Sequence, residues 1–102
     1  MKIAAIIDIR CKPERSFGFD RIAMRIARFP EVLDVMVISG RSDLTVKIEG
    51  KNLDEISKFV TEKLSPMENV ESTSTQFFLK IYKSKGKILI KEPKSSRIPV
   101  AP

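Results

Sequence analysis

Histidine and tryptophan are both absent from this chain of 102 residues, and Cys11 is its only cysteine. Histidine is the commonest general base and the commonest metal ligand, so its absence removes the usual basis for acid–base catalysis and for a zinc site. Cys11 cannot form an intrachain disulfide, which fits a reducing compartment, and it has no histidine to activate its thiol. We therefore expect neither an enzyme nor a metal site, and no cofactor.

Long apolar runs are also missing. No segment approaches the roughly 20 apolar residues that span a bilayer. The first residues pass directly into a strand-like pattern, without the basic and apolar regions of a cleavable signal peptide. The sequence therefore predicts a cytoplasmic protein that has no membrane partner. A chain of this length forms one domain with one modest core.

Positive charge is concentrated near the C-terminal end of the chain. The net charge is +6, from 19 basic and 13 acidic residues. Residues 83–102 hold six basic side chains and one acidic side chain, whereas the preceding 82 residues hold thirteen basic and twelve acidic ones. The body of the protein is therefore nearly neutral, and its overall charge does not by itself indicate nucleic-acid binding.

Six segments show either the two-residue period of a strand or the 3.6-residue period of a helix. In the order strand, helix, strand, strand, helix, strand, they are residues 3–9, 19–29, 32–39, 44–49, 53–64 and 70–82. Pro30 ends the first helix. Asn52 is a suitable N-cap for the second helix, whose predicted buried stripe includes Leu53 and Ile56. This order predicts an α+β fold, a ferredoxin-like βαββαβ sandwich with an antiparallel four-stranded sheet and both helices on one face.

The C-terminal end adds a short strand and a tail to this fold. The run Lys-Ser-Lys-Gly-Lys after Tyr82 is a turn signal, and three apolar residues follow it. We expect a fifth strand at residues 87–91 that forms a hairpin with the fourth. Residues 1–83 then form the domain, and residues 84–102 form a basic extension whose last part has no periodicity.

Apolar side chains on both faces of the first two strands predict an interface between copies of the chain. The helices cover only one face of such a sheet, and large uncovered apolar patches on soluble proteins usually mark interaction sites. A homodimer with two-fold symmetry, paired face to face or edge to edge, is the simplest assembly. The alternative is a monomer in which the fifth strand and the tail cover the apolar residues of the second strand. The interface candidates are Ile6, Met36, Ile38, Phe77 and Leu79.

Three segments resemble, in their order and spacing, the effector-binding domain of the Lrp/AsnC regulators, also called the RAM domain. They are Phe29-Pro30-Glu31-Val32, the Gly-x-x-Asp turn within 39–44, and the Thr-x-Thr pattern within 70–75. The resemblance covers residues 3–83 and implies a ferredoxin-like fold, dimers whose sheets pack together, and octamers or similar rings. The helix-turn-helix domain of such regulators has no counterpart here, so the sequence resembles a stand-alone form.

The resemblance also implies a small effector, typically an amino acid, that binds between dimers near the Gly-x-x-Asp turn. The effector-binding residues that it implies are Gly40, Asp43, Thr73 and Thr75. A glycine allows close approach of a ligand to the backbone, and Asp43 can accept hydrogen bonds from an ammonium group. The residues alone leave another interpretation open, because Gly-x-x-Asp also suits a simple hairpin turn and threonine suits any half-exposed strand.

We therefore expect an amino-acid-sensing module that acts through oligomerisation and modulates a full-length Lrp/AsnC transcription regulator by forming mixed oligomers. Direct DNA binding is not expected of a chain without a helix-turn-helix domain. Two alternatives stay open. One is an ACT-like regulatory subunit held non-covalently by a metabolic enzyme. The other is weak, salt-sensitive nucleic-acid binding through the basic tail.

Overall fold

The structure is a computed structural model that describes residues 2–40 and 42–91, so the predicted tail at residues 92–102 lies outside the described residues. The elements are β1 Ile3–Cys11, α1 Asp20–Ala27, β2 Val32–Val37, β3 Leu44–Gly50, α2 Leu53–Phe59, a π-helical turn Val60–Leu64, β4 Val70–Phe77, β5 Lys83–Ser84 and β6 Lys87–Ile88. Two helices and four antiparallel strands in βαββαβ order confirm the predicted ferredoxin-like α+β fold.

The four-stranded sheet has the order β2-β3-β1-β4, so β1 and β3 lie at its centre. Alternate residues of the two central strands face the helices and have no exposed surface. They are Ala5, Ile7, Ile9, Leu44, Val46 and Ile48. Burial of each large apolar side chain stabilises the fold by about 1.5–3 kcal/mol before chain entropy is counted. The core therefore lies between this face of the sheet and the helices.

Both helices pack through a few apolar positions. Ile22 and Ile26, four residues apart, are the buried residues of α1. The predicted N-cap of α2 is confirmed, because the Asn52 Oδ1 accepts a hydrogen bond from the Glu55 backbone N at 2.8 Å. The predicted burial of Leu53 is wrong, because its side chain is 53% exposed. The first buried residue of α2 is Ile56, so Leu53 precedes the part of the helix that packs on the sheet.

The Phe-Pro-Glu-Val segment joins α1 to the second helical region. The rings of Phe29 and Phe59 meet edge to face, with centroids 5.4 Å apart. The Lys63 Nζ donates to the Glu31 Oε2 at 2.8 Å and lies 5.6 Å from the centre of the Phe29 ring. This hydrogen bond holds the pKa of the Glu31 carboxyl below its ordinary value. The segment thus fixes the start of β2 against the π-helical turn.

The end of the fourth strand differs from the prediction. β4 stops at Phe77 instead of residue 82, because its partner strand runs out: the Phe78 N donates to the Ala4 O at 3.0 Å, and β1 begins at Ile3. A strand without a neighbour leaves its backbone groups unpaired, so the regular pairing cannot continue.

The fifth strand was predicted to form a hairpin with the fourth strand, and this prediction is wrong. Lys83 pairs with Ile88, and Ser84 pairs with Lys87, in a separate two-stranded hairpin that shares no pairing with β4. Lys85 and Gly86 have φ values of +51° and +80°, as a two-residue type I′ turn requires. The local turn therefore decides the pairing, and the predicted boundary between residues 83 and 84 falls inside the hairpin. No helix in the described part of the chain is long and apolar enough to cross a membrane.

Candidate functional site

Within residues 2–40 and 42–91, one face of the sheet carries no helix, and we call it the open face. It contains the residues that alternate with the buried ones in β1 and β3 and their neighbours in the edge strands. Three of the five predicted interface residues, Ile6, Met36 and Ile38, share this face by alternation, and the latter two are 47% and 39% exposed. Phe77 lies on the opposite, helix-covered face and packs against the core. Leu79 lies beyond the end of β4 and is 95% exposed.

Asp8, an acidic residue in an otherwise apolar strand, holds three strands together on the open face. Its Oδ1 accepts a hydrogen bond from the Thr45 Oγ1 of β3 at 3.1 Å. Its Oδ2 accepts from the Gln76 Nε2 of β4 at 3.4 Å. The carboxylate is thus satisfied from both sides, which removes most of the cost of placing it in the central strand.

A small polar cavity lies beside this carboxylate on the open face. It has a volume of about 230 Å³ and is lined by Asp8, Arg10, Ser42, Ser72, Ser74 and Gln76. Pockets for drug-sized ligands have volumes of roughly 300–1,000 Å³, so this cavity suits only a small polar molecule. The sequence prediction did not include this group. The two-residue spacing of the serines and the glutamine in β4 was the available signal.

The Gly-x-x-Asp turn is tied to the sheet by three hydrogen bonds of Asp43. Its backbone N donates to the Ile9 O at 3.0 Å, and its backbone O accepts from the Ile38 N at 3.1 Å. Its Oδ2 accepts from the Cys11 N at 3.0 Å. The side chain therefore bonds a residue of β1, not an amide of its own turn. Gly40 is exposed, has a φ of +121°, and has nothing within 4 Å of where a Cβ would lie.

The two predicted threonines lie on the helix-covered side of β4 and are half-buried. Thr73 is opposite Ile9 and Thr75 is opposite Ile7. Since Asp43 bonds Ile9 from the β3 side, Asp43 and Thr73 flank the same residue at one end of the sheet. Thr75 lies two residues further along the strand.

Cys11 is buried behind this turn, with 4% of its surface exposed. Burial raises the pKa of its thiol to about 11, and the negative charges of Asp43 and Glu71 add to the effect. The thiol is therefore protonated at neutral pH, which makes it a poor nucleophile. Within residues 2–40 and 42–91, no group of three or more cysteine, aspartate or glutamate side chains is placed to hold a metal ion.

The raised pKa of Cys11 predicts a loss of stability at alkaline pH. The thiol of the unfolded chain loses its proton near its ordinary pKa of 9.0, whereas the folded protein keeps the proton up to about pH 11. Between these values the unfolded state binds fewer protons, so the free energy of unfolding should fall as the pH rises. Urea unfolding of the wild type and of Cys11→Ala at pH 8, 10 and 11 measures this. The difference in the free energy of unfolding between the wild type and Cys11→Ala should shrink as the pH rises. A difference that stays constant would contradict the raised pKa of Cys11.

The element order and the sheet topology define the class of this protein as a ferredoxin-like α+β domain, with a small polar cavity on its open face. The family model for the Lrp/AsnC ligand binding domain matches residues 4–88. The chain belongs to this family, which confirms the resemblance seen in the sequence.

The similar sequences include regulators and part of an enzyme. An uncharacterised HTH-type transcriptional regulator of Bacillus subtilis, YugG, is 43% identical over 100 residues, which are 98% of this chain and 60% of the regulator. The chain thus spans about three fifths of the length of that relative. A homocitrate synthase of Sulfurisphaera tokodaii is 33% identical over 78 residues, which are 76% of this chain and 16% of the synthase.

Solved structures show the same fold. A crystal structure of a protein from Thermus thermophilus has a TM-score of 0.72 and 28% identity, and the match covers 80% of this chain and 99% of that one. A transcriptional regulator of Neisseria meningitidis, solved as a complex with L-Met, has a TM-score of 0.71 and 20% identity. That match covers 85% of this chain and 56% of the regulator.

Proposed function

We propose that this domain binds an amino acid and passes the signal to transcription through a change in its oligomeric state. The observation that carries the proposal is the match of residues 4–88 to a family of ligand binding domains. The names of the relatives, HTH-type transcriptional regulators, support a role in transcription. The L-Met complex of the similar regulator supports an amino acid as the ligand.

The proposed binding residues are those that the sequence resemblance implies: Gly40, Asp43, Thr73 and Thr75. Gly40 leaves its backbone open to a ligand, because nothing lies within 4 Å of where a Cβ would be. The bond from the Cys11 N holds the Asp43 carboxylate in place, and a carboxylate has further acceptor positions for a ligand ammonium group. A hydroxyl group such as that of Thr73 can donate to a ligand carboxylate. A preorganised site of this kind loses less entropy when the ligand binds.

The proposed assembly is a dimer in which the open faces of two copies pack together. Ile6, Met36 and Ile38 would be covered in it, Leu79 would add apolar contact beyond β4, and Phe77 would support the sheet from the covered side. Dimers would then form larger rings such as octamers, and mixed rings with full-length Lrp/AsnC regulators. A ligand that binds one assembly better than another shifts the equilibrium between them.

Light scattering and thermal unfolding with each of the twenty amino acids test this proposal. We expect a mass that is a multiple of the 11.6 kDa chain, and one amino acid or a few that raise the melting temperature. A ligand at one hundred times its Kd stabilises the folded state by about 2.7 kcal/mol.

A pair of matched variants separates the proposed site from a general effect. Thr75→Val should weaken the response to the amino acid at least several-fold, because it removes a hydroxyl but keeps the shape of the side chain. Thr61→Val, the same change on the exposed surface of the π-helical turn, should leave the response unchanged. A monomeric mass and no response to any amino acid would contradict the proposal.

A regulatory subunit of a metabolic enzyme is the second candidate, as in an ACT-like module. The similarity to part of a homocitrate synthase favours it, because that enzyme contains a region of this kind. The ligand class would be the same, but the responding partner would be an enzyme. Affinity purification of the tagged protein, with identification of the bound chains, distinguishes an Lrp/AsnC regulator from a biosynthetic enzyme.

A further inference from the structure

The segment 80–91, which we call the arm, carries the positive charge of the described structure. It has five lysines and no acidic residue, whereas residues 1–79 hold twelve basic and twelve acidic residues. All five lysines are exposed: Lys80, Lys83, Lys85, Lys87 and Lys91. Over residues 1–91 of the sequence, the whole net charge of +5 therefore comes from the arm.

The arm stands apart from the rest of the molecule as a two-stranded ribbon. β5 and β6 form a separate two-stranded sheet. At the base of this hairpin, the Leu89 N donates a hydrogen bond to the Tyr82 O at 2.8 Å. Lys85 lies in the type I′ turn at the tip, and Lys83 and Lys87 lie in the two strands next to it, on opposite faces of the ribbon. Tyr82 and Leu89 lie at the base and are 63% and 54% exposed.

The charge of the arm is not neutralised within the described residues. The two ion pairs there join Arg21 to Glu14 and Lys63 to Glu31, and neither involves the arm. The Lys80 Nζ lies 5.2 Å from the centre of the Tyr82 ring, a contact that leaves its charge intact. Lys83, Lys85 and Lys87 fall within five consecutive residues, so their positive charges repel one another, and this repulsion favours an anionic partner.

We propose that the tip of the arm binds the phosphate backbone of double-stranded DNA. A two-stranded β-ribbon fits a groove of DNA, and lysines that neutralise phosphates release the condensed counterions. The choice of DNA over other polyanions rests on the proposed function, a domain of transcription regulators. The contact is independent of base sequence, and it is an auxiliary one that assists a regulator already at its site. The sequence suggested such binding for the whole basic tail, residues 84–102, and the proposal assigns it to the hairpin at the start of that segment.

Fluorescence anisotropy of a short labelled duplex, titrated with the protein at several salt concentrations, tests this inference. A plot of the logarithm of the binding constant against the logarithm of the salt concentration should have a negative slope. Each lysine that contacts a phosphate should contribute about 0.9 to the magnitude of this slope. The variant Lys83→Gln, Lys85→Gln, Lys87→Gln should reduce the slope by about 2.7 and weaken binding at about 50 mM salt by on the order of tenfold or more.

A matched variant controls for net charge. Lys12→Gln, Lys51→Gln, Lys58→Gln removes three exposed lysines from the loop after β1 and from the surface around α2. It should keep the wild-type slope. Three results would overturn the inference. They are no binding to the duplex at low salt, an equal loss of DNA affinity in the two triple variants, and tighter binding to vesicles of anionic lipid than to DNA. The amino-acid response, measured separately on the arm variant, should be unchanged, so failure of one proposal is distinguishable from failure of the other.

Discussion

Replacement of Ile6 by glutamate should convert the proposed oligomer to a folded monomer. Ile6 is half-buried at the centre of the open face, and its neighbours across the sheet are Lys47 and Gln76. In an isolated domain the new carboxylate would lie beside the Lys47 ammonium group and in contact with water, so the fold should tolerate it. In a face-to-face dimer the same charge would be removed from water, at a cost of several kcal/mol.

The expected result is an increase of at least about 100-fold in the Kd of the dimer, since each 1.4 kcal/mol changes an affinity tenfold. Sedimentation or light scattering across a range of concentrations measures it, and circular dichroism checks that the domain stays folded. Leu53→Glu places the same charge at an exposed apolar position of α2, away from the open face, and should leave the mass unchanged. A folded Ile6→Glu variant with the wild-type mass would show that copies do not pair through this face.

Two replacements of Asp43 should separate its structural role from its proposed role in ligand binding. Asp43→Ala removes the acceptor of the Cys11 N and leaves that amide unsatisfied, which should lower the free energy of unfolding by about 1–3 kcal/mol. Asp43→Asn keeps an oxygen that can accept this bond, so its stability should lie close to that of the wild type. Both variants lose the negative charge, so both should bind a ligand ammonium group at least tenfold more weakly.

Urea unfolding and isothermal titration with the amino acid found in the panel measure the two effects. Asp34→Asn is the control, because it removes an exposed carboxylate from β2, away from the turn. Normal ligand affinity in a stable Asp43→Asn variant would leave the residue with its structural role alone. Normal stability of Asp43→Ala would show instead that the bond to Cys11 contributes little.

Features that depend on neighbouring residues in the chain were predictable. The two-residue alternation of apolar and polar residues in β3 identifies its buried face, because successive side chains of a strand point to opposite sides. Pro30 and Asn52 mark a helix end and a helix start through their own backbone chemistry. These local signals, in order, are enough for the ferredoxin-like fold, and the spaced Phe-Pro-Glu-Val, Gly-x-x-Asp and Thr-x-Thr segments are enough for the family.

The functional details were less predictable, because they depend on residues far apart in the chain. The Asp43 side chain bonds Cys11, 32 positions away, where the turn motif suggested either a local bond or a ligand. Asp8 looked out of place in an apolar strand, and the explanation lies in Thr45 and Gln76 on the strands at either side. The alternation within each strand was visible, but the alignment of the strands that brings these side chains together was not.

The sequence by itself determined the order of the elements, the family and the location of the positive charge, since each is written in local periodicity, motifs or composition. Only the tertiary structure decided where β4 ends, that residues 83–88 form an independent hairpin, and which polar groups share the cavity of the open face. The physical reason is that a strand continues only while a neighbour satisfies its backbone hydrogen bonds. For β4 that neighbour is the first strand of the chain, whose beginning sets the limit.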